Sequence, residues 1–154
     1  MLREGDRVPD VKLTGMDGEA VSPADFRGQK LVLYFYPKDD TAGCTREAQD
    51  FTALAGEFEK AGTWILGVSK DSPAKHRKFT DKYDLKVRLA SDEDGTVCAA
   101  FGTWIEKSLY GRKYMGIDRA TFLIHRDGTI ARIWRKVRVP GHAEEVLAAA
   151  RDLP

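Results

Sequence analysis

The sequence predicts an α/β layer fold with a mixed central β-sheet flanked by helices. Three observations carry this expectation. Two short apolar runs, Leu31–Tyr36 (LVLYFY) and Thr63–Val68 (TWILGV), bracket a stretch of helical periodicity. A later Asp-Gly turn joins two more β-rich runs, and an amphipathic segment closes the chain.

The elements follow in order. Val11–Thr14 and Glu19–Val21 flank Gly15-Met16-Asp17-Gly18, the signature of a small hairpin. Leu31–Tyr36 and Thr63–Val68 are continuous in apolar residues, as expected of strands covered on both faces. Between them Ala48, Phe51, Leu54, Ala55 and Phe58 recur at helical spacing, which predicts a helix from about Gly43 to Ala61, ended by Gly62. Strand, helix, strand makes the first two buried strands parallel. Ser72-Pro73 supplies an N-cap and an N1 proline for a second helix through Tyr83, with His76, Phe79 and Tyr83 on one side. Val87–Leu89 reads as a short strand and Thr96–Phe101 as a short helix. Ala120–Ile124 and Thr129–Trp134 form an antiparallel hairpin about His125-Arg126-Asp127-Gly128. Ala143, Val146, Leu147 and Ala150 define the closing helix. This order is the thioredoxin-like arrangement.

With 154 residues the chain is expected to be one domain over 1–154, large enough to build a core without staples. Its 25 basic and 24 acidic residues leave a formal charge of +1, which excludes a global field recruiting nucleic acid or anionic membrane. Two cysteines exclude a disulfide scaffold and a four-cysteine zinc site. Met1–Arg7 holds no apolar signal core, and no window nears 18 uncharged apolar residues. The expected compartment is the cytoplasm, where free thiols stay reduced.

The chemistry concentrates where the first buried strand ends. After Pro37 come Lys38-Asp39-Asp40-Thr41-Ala42-Gly43-Cys44. Cys44 thus falls in the first turn of a long helix, beyond the carboxyl end of a buried strand, where open α/β sheets bind ligands. Unpaired N–H groups and the partial positive charge there favour the nucleophilic thiolate. Pro37 stops the strand, and Gly43 lets the backbone approach a ligand closely. Thr41 stands where a dithiol oxidoreductase would carry a second cysteine. Its hydroxyl cannot form a disulfide, but it can hold one oxygen of a peroxide while the other is attacked. A small buried hydrophobe at Cys44 and a helix cap at Thr41 are the plain alternatives.

Pro37-x-x-x-Thr41-x-x-Cys44 resembles the active-site motif of the peroxiredoxins. Leu33–Thr45 (LYFYPKDDTAGCT), Ser91–Gly95, Phe101-Gly102, Glu106-Lys107 and Gly116–Arg119 resemble the bacterioferritin comigratory (PrxQ) branch over nearly the whole chain. The resemblance implies a thiol peroxidase of thioredoxin-like fold with no metal or organic cofactor, acting on hydrogen peroxide and organic hydroperoxides. It implies that Cys44 is the peroxidatic cysteine, that Thr41 hydrogen-bonds the peroxide, that Pro37 shields the thiolate, and that Arg119 is the active-site arginine. An ion pair with Asp118 is the plain alternative for Arg119.

Gln49 occupies the position, five residues after Cys44, where many members carry a resolving cysteine, and the region around Thr80 has none. The sulfenic acid formed on Cys44 needs a thiol to leave the oxidation ladder. Either thioredoxin or a low-molecular-weight thiol supplies it, or Cys98 does after local unfolding. The chain is expected to work as a monomer, without nucleic acid or membrane partners. A redox-sensing module without turnover is the alternative to an enzyme.

Other signals are bland. Arg132, Arg135, Lys136 and Arg138 around Trp134 read as a guarded strand edge. His76, His125 and His142 lack metal-ligand spacing, and His76 reads as a packed residue of a helix. Trp64, Trp104 and Trp134 read as core or half-buried. No phosphate-binding glycine loop is present.

Overall fold

The computed structural model describes residues 1–154. In chain order the elements are β1 (Leu13–Gly15), β2 (Ala20–Val21), a 3-10 turn (Pro23–Phe26), β3 (Lys30–Phe35), α1 (Ala42–Ala53), α2 (Ala55–Lys60) and β4 (Thr63–Ser69). Then come α3 (Pro73–Tyr83), β5 (Arg88–Ser91), α4 (Thr96–Ala100), β6 (Trp104–Leu109), β7 (Arg112–Ile117), β8 (Ala120–Ile124), β9 (Ile130–Trp134) and α5 (His142–Asp152). Seven strands form one sheet in the order β2-β1-β5-β4-β3-β8-β9, with β3, β4 and β5 parallel and β8 antiparallel to β3. This is the mixed thioredoxin-like sheet that the element order predicts.

Every residue of β3 is buried, and the pleat divides them between two cores. Leu31, Leu33 and Phe35 pack with Phe101, Phe122 and Cys98 on one face. Val32 and Tyr34 pack on the other with Cys44 and Phe51 of α1, Phe79 of α3 and Val146 of α5. The two cysteines therefore lie on opposite faces of the sheet.

The structure corrects two local expectations and adds one element that the sequence reading does not contain. The helix expected over 43–61 is two helices, because Leu54 (φ −102°, ψ 5°) closes α1 with a tight bond to the Phe51 carbonyl and α2 restarts at once. The apolar period passes straight through this single tightened residue, so the pattern carries no mark of it. A hairpin stands over 104–117, where β6 and β7 pair outside the main sheet. Its turn places Tyr110 (φ 51°) and Gly111 (φ 78°) both in the left-handed region, a primed two-residue turn without the usual Asn-Gly or Asp-Gly signal. Trp64 and Trp104 are exposed rather than core or half-buried, and Trp134 is half-buried as expected. Lys70 Nζ lies 4.4 Å from the Trp104 ring centroid and the Arg88 guanidinium 6.0 Å from that of Trp64, so cations partner these indoles. The basic cluster lies along and beyond β9, an outer strand of the sheet.

His142, at the start of α5, is buried with its Nε2 2.8 Å from Thr121 Oγ1. The edges of Phe51 and Trp134 surround it. Burial pushes its pKa down from 6.5 to about 4, with Glu145 opposing and Arg119 adding a little. The folded state therefore resists protonating this ring. Its contribution to stability is complete above about pH 6.5 and is lost as pH falls toward 4. In His142→Gln, thermal melts over this window should show a shallower acid loss of Tm than the wild type. Equal slopes would remove His142 from the account.

Candidate active site

The site is built where β3 hands over to α1. Tyr36 extends the strand by one bond to Val68, and Pro37 ends it, since proline lacks an N–H for the ladder. The loop that follows turns sharply at Asp40 (φ 59°), and Thr41 serves as the extended N-cap residue of α1 (φ −100°, ψ 159°). The Thr41 side chain does not cap the helix. Its hydroxyl donates instead to the Lys38 carbonyl at 2.8 Å, which leaves its lone pairs turned to an exposed position.

Cys44 is the third residue of α1, in the turn whose N–H groups have no intrahelical partner. It is 2% exposed. Arg119, which enters between β7 and β8, reaches it from 75 residues away in sequence. Its Nη2 donates to Cys44 Sγ at 3.4 Å, while Nη1 donates to Glu47 Oε1 at 2.7 Å. One planar guanidinium thus spans the thiol and the carboxylate. Gly43 makes room for it, because a Cβ there would stand 3.1 Å from Arg119 Nη2. The close approach that the sequence assigns to a ligand at Gly43 is taken in the structure by the Arg119 side chain.

The partner of Arg119 is Glu47, and the Asp118 alternative is set aside. Asp118 is itself buried and accepts from the Lys136 N–H. Glu47 follows Cys44 by three residues, so both lie on one helix face. That spacing was the available sequence signal. Burial raises the Glu47 pKa from 4.5 to about 7 even though Arg119 draws it down. Arg119 is held above its ordinary value: burial opposes its charge, and Glu47 and Cys44 outweigh burial. Beneath them lies Tyr34, wholly buried, whose hydroxyl and Glu47 Oε2 both lack a partner. Lys107 of β6 feels the same site. Its pKa is lowered by burial and by Arg119, against the opposing charges of Asp118 and Cys44.

The structure thus gathers Cys44 and Arg119, with Thr41 three residues before Cys44 at the cap of the same helix. Pro37 is exposed at the head of the loop. Cys98 is not part of the constellation. It is fully buried in the opposite core, where Asp92 accepts from its N–H at 2.7 Å. Burial, then Asp92, pushes its thiol pKa well up, so Cys98 is held as the neutral thiol. No three His, Cys, Asp or Glu side chains converge to hold a metal ion, and no helix is long and apolar enough to cross a membrane.

Known proteins place this arrangement. Residues 4–133 match the AhpC/TSA family. The putative peroxiredoxin Bcp of Coxiella burnetii is 47% identical over 146 residues, 95% of this chain and 97% of its own. Peroxiredoxin Bcp of Bacillus subtilis is 44% identical over 149 residues, 97% of this chain and 95% of its own. Among solved structures, a PrxQ mutant of Xylella fastidiosa superposes with a TM-score of 0.91 at 39% identity, covering 97% of this chain and 95% of that one. The bacterioferritin comigratory protein of Xanthomonas campestris, studied for its alkyl peroxide reduction activity, superposes with a TM-score of 0.88 at 43% identity, covering 95% and 98%. The chain belongs to the AhpC/TSA family and, within it, to the Bcp (PrxQ) peroxiredoxins, which are thiol-dependent peroxidases.

Proposed function

We propose that this chain is a one-domain, monomeric, cytoplasmic peroxidase that reduces hydrogen peroxide and organic hydroperoxides in a one-cysteine cycle. The Cys44 thiolate attacks one oxygen of the peroxide in line with the O–O bond. A sulfur–oxygen bond forms, the O–O bond breaks, and the leaving oxygen takes a proton as water or alcohol. An external thiol then displaces water from the sulfenic acid, and a second thiol reduces the mixed disulfide. The observation that carries this reading is Arg119, whose guanidinium touches Cys44 Sγ while Glu47 fixes its plane. It is aimed where negative charge spreads over sulfur and both oxygens in the transition state. Thr41 is assigned the hydrogen bond to the peroxide, and Pro37, at the head of the same loop, the shielding of the thiolate.

External resolution is supported by the two-core arrangement. A disulfide requires Cα atoms within about 7 Å, and Cys44 and Cys98 are separated by the sheet itself. Turnover in Cys98→Ala, with thioredoxin or a small dithiol as reductant, should match the wild type. Alanine leaves no stray polar group in the buried site. Loss of turnover in a folded Cys98→Ala protein would make Cys98 the resolving residue. Stoichiometric oxidation of the wild type without turnover would make the protein a sensor.

A further inference from the structure

The loop from Pro37 to Thr41 is tied to a single helix, α3, by two consecutive carboxylates. The outer tie is exposed: Asp40 accepts from Lys82 Nζ at 2.8 Å and from the Tyr83 hydroxyl at 2.5 Å. Exposed pairs of this kind contribute little to stability. The inner tie is buried. Asp39 accepts from the Tyr36 hydroxyl at 2.5 Å and faces His76 Nδ1 at 2.7 Å. The Asp39 N–H donates to Asp71 Oδ2 at 2.8 Å, and that oxygen also accepts from Ser69 Oγ at 2.6 Å.

His76 itself is fully buried, which bears out the packed residue expected from the sequence, but its surroundings are polar. Its Nε2 faces the Ala90 carbonyl of β5 at 3.0 Å. Both ring nitrogens therefore face oxygen atoms, and the Tyr36 hydroxyl also lies 3.4 Å from Nδ1. A buried polar contact of this kind fixes geometry, because removing one member leaves the other buried without its partner. Asp39 lies two residues before Thr41, and the Thr41 hydroxyl donates to the carbonyl of Lys38, just before Asp39. The inner tie thus governs the stretch of backbone that sets the Thr41 hydroxyl relative to Cys44.

We propose that His76 is a positioning residue for peroxide attack: through Asp39 it holds the Lys38–Thr41 backbone so that the Thr41 hydroxyl meets the peroxide beside Cys44. The proposal rests on Cys44 being the reacting thiol, which Cys44→Ser tests separately. A purely structural His76 would act on folding and leave the chemistry of the folded fraction alone.

The test compares two reactions of the reduced protein, corrected for folded fraction: oxidation of Cys44 by hydrogen peroxide, and its alkylation by iodoacetamide. Alkylation needs the thiolate and access to it, but no hydrogen bond from Thr41 to the incoming reagent. His76→Leu should slow peroxide attack by about 10–100-fold with alkylation no slower, the scale on which small misplacements act. Substitution by amides then separates the two contacts of the ring. The asparagine amide sits near the place of Nδ1 and the glutamine amide near that of Nε2. His76→Asn should therefore recover to within about threefold of wild type, and His76→Gln should stay slow. Asp39→Asn removes the charge at nearly constant volume and should behave like His76→Leu, which keeps the test available if the leucine variant misfolds. The proposal is overturned if peroxide attack and alkylation fall together, if peroxide attack is unchanged in both His76→Leu and Asp39→Asn, or if glutamine rescues and asparagine does not.

Discussion

Cys44→Ser is expected to lower thioredoxin-coupled peroxide consumption by more than about a thousandfold, to the uncatalysed background. Serine is nearly isosteric, so it should leave the packing of α1 against Tyr34 of β3 in place. The loss then reads chemistry rather than folding. An alcohol at this position ionises far less readily than a thiol, and its oxygen is a poor nucleophile toward peroxide. Arg119 would still meet Glu47 and present its guanidinium, yet nothing would be there to attack. Wild-type rates in a folded serine variant would remove Cys44 from the mechanism and, with it, the function assigned to the site.

Arg119→Ala carries the second largest expected effect, a loss of about 10²–10³ in the second-order rate of peroxide attack, the usual scale for removing one preorganised charge-stabilising donor. Arg119→Lys should recover little of it. A lysine ammonium is a point charge and cannot span Sγ and Glu47 with one rigid plane. Arg119→Ala also leaves Glu47 buried without its partner, which costs stability. Glu47→Gln separates the two effects. In that background Arg119→Ala should lose its stability cost while still slowing peroxide attack, by less than in the wild type because a neutral Glu47 already holds the arginine less firmly. Competition kinetics against a catalase or peroxidase of known rate would measure the rates, and full activity in Arg119→Ala would displace the arginine from the site.

The raised pKa of Glu47 gives this pair a pH signature. As pH falls through about 7, Glu47 takes a proton, the ion pair weakens and Arg119 is held less firmly. Peroxide attack should therefore slow on acidification, and Glu47→Gln should remove that component of the profile. The linkage to folding has the opposite sign. A carboxyl whose folded-state pKa is raised contributes stability that is complete below about 4.5 and lost as pH rises through about 7. The ionised form that serves the reaction is the one the fold tolerates least.

Much of this site is legible in local sequence. Leu31–Tyr36 announces a doubly covered strand, the apolar period announces the helix after it, and their junction places Cys44 in the helix's first turn. Gly43 signals a close approach. What local sequence does not show is who approaches, because the contact between Arg119 and Cys44 bridges 75 residues. No spacing rule reaches that far, and Arg119 entered only through its resemblance to a family motif. Glu47 was within reach of the helical spacing, but charged residues of a helix usually face water. Asp39 and His76 were hidden for the same reason as Arg119: their pairing depends on how α3 docks against the sheet. The 104–117 hairpin escaped because its strands are largely exposed and its turn uses Tyr110 where asparagine is usual.

The central claim is that Cys44 alone reacts with peroxide and waits as a sulfenic acid for an outside thiol. The direct measurement adds one equivalent of hydrogen peroxide to the reduced protein in the presence of dimedone, then maps the peptides without reductant. The account predicts a dimedone adduct on the Cys44 peptide in near-stoichiometric yield, with Cys98 recovered as a free thiol. An intramolecular Cys44–Cys98 disulfide in comparable yield, or an adduct on Cys98 in place of Cys44, would contradict it.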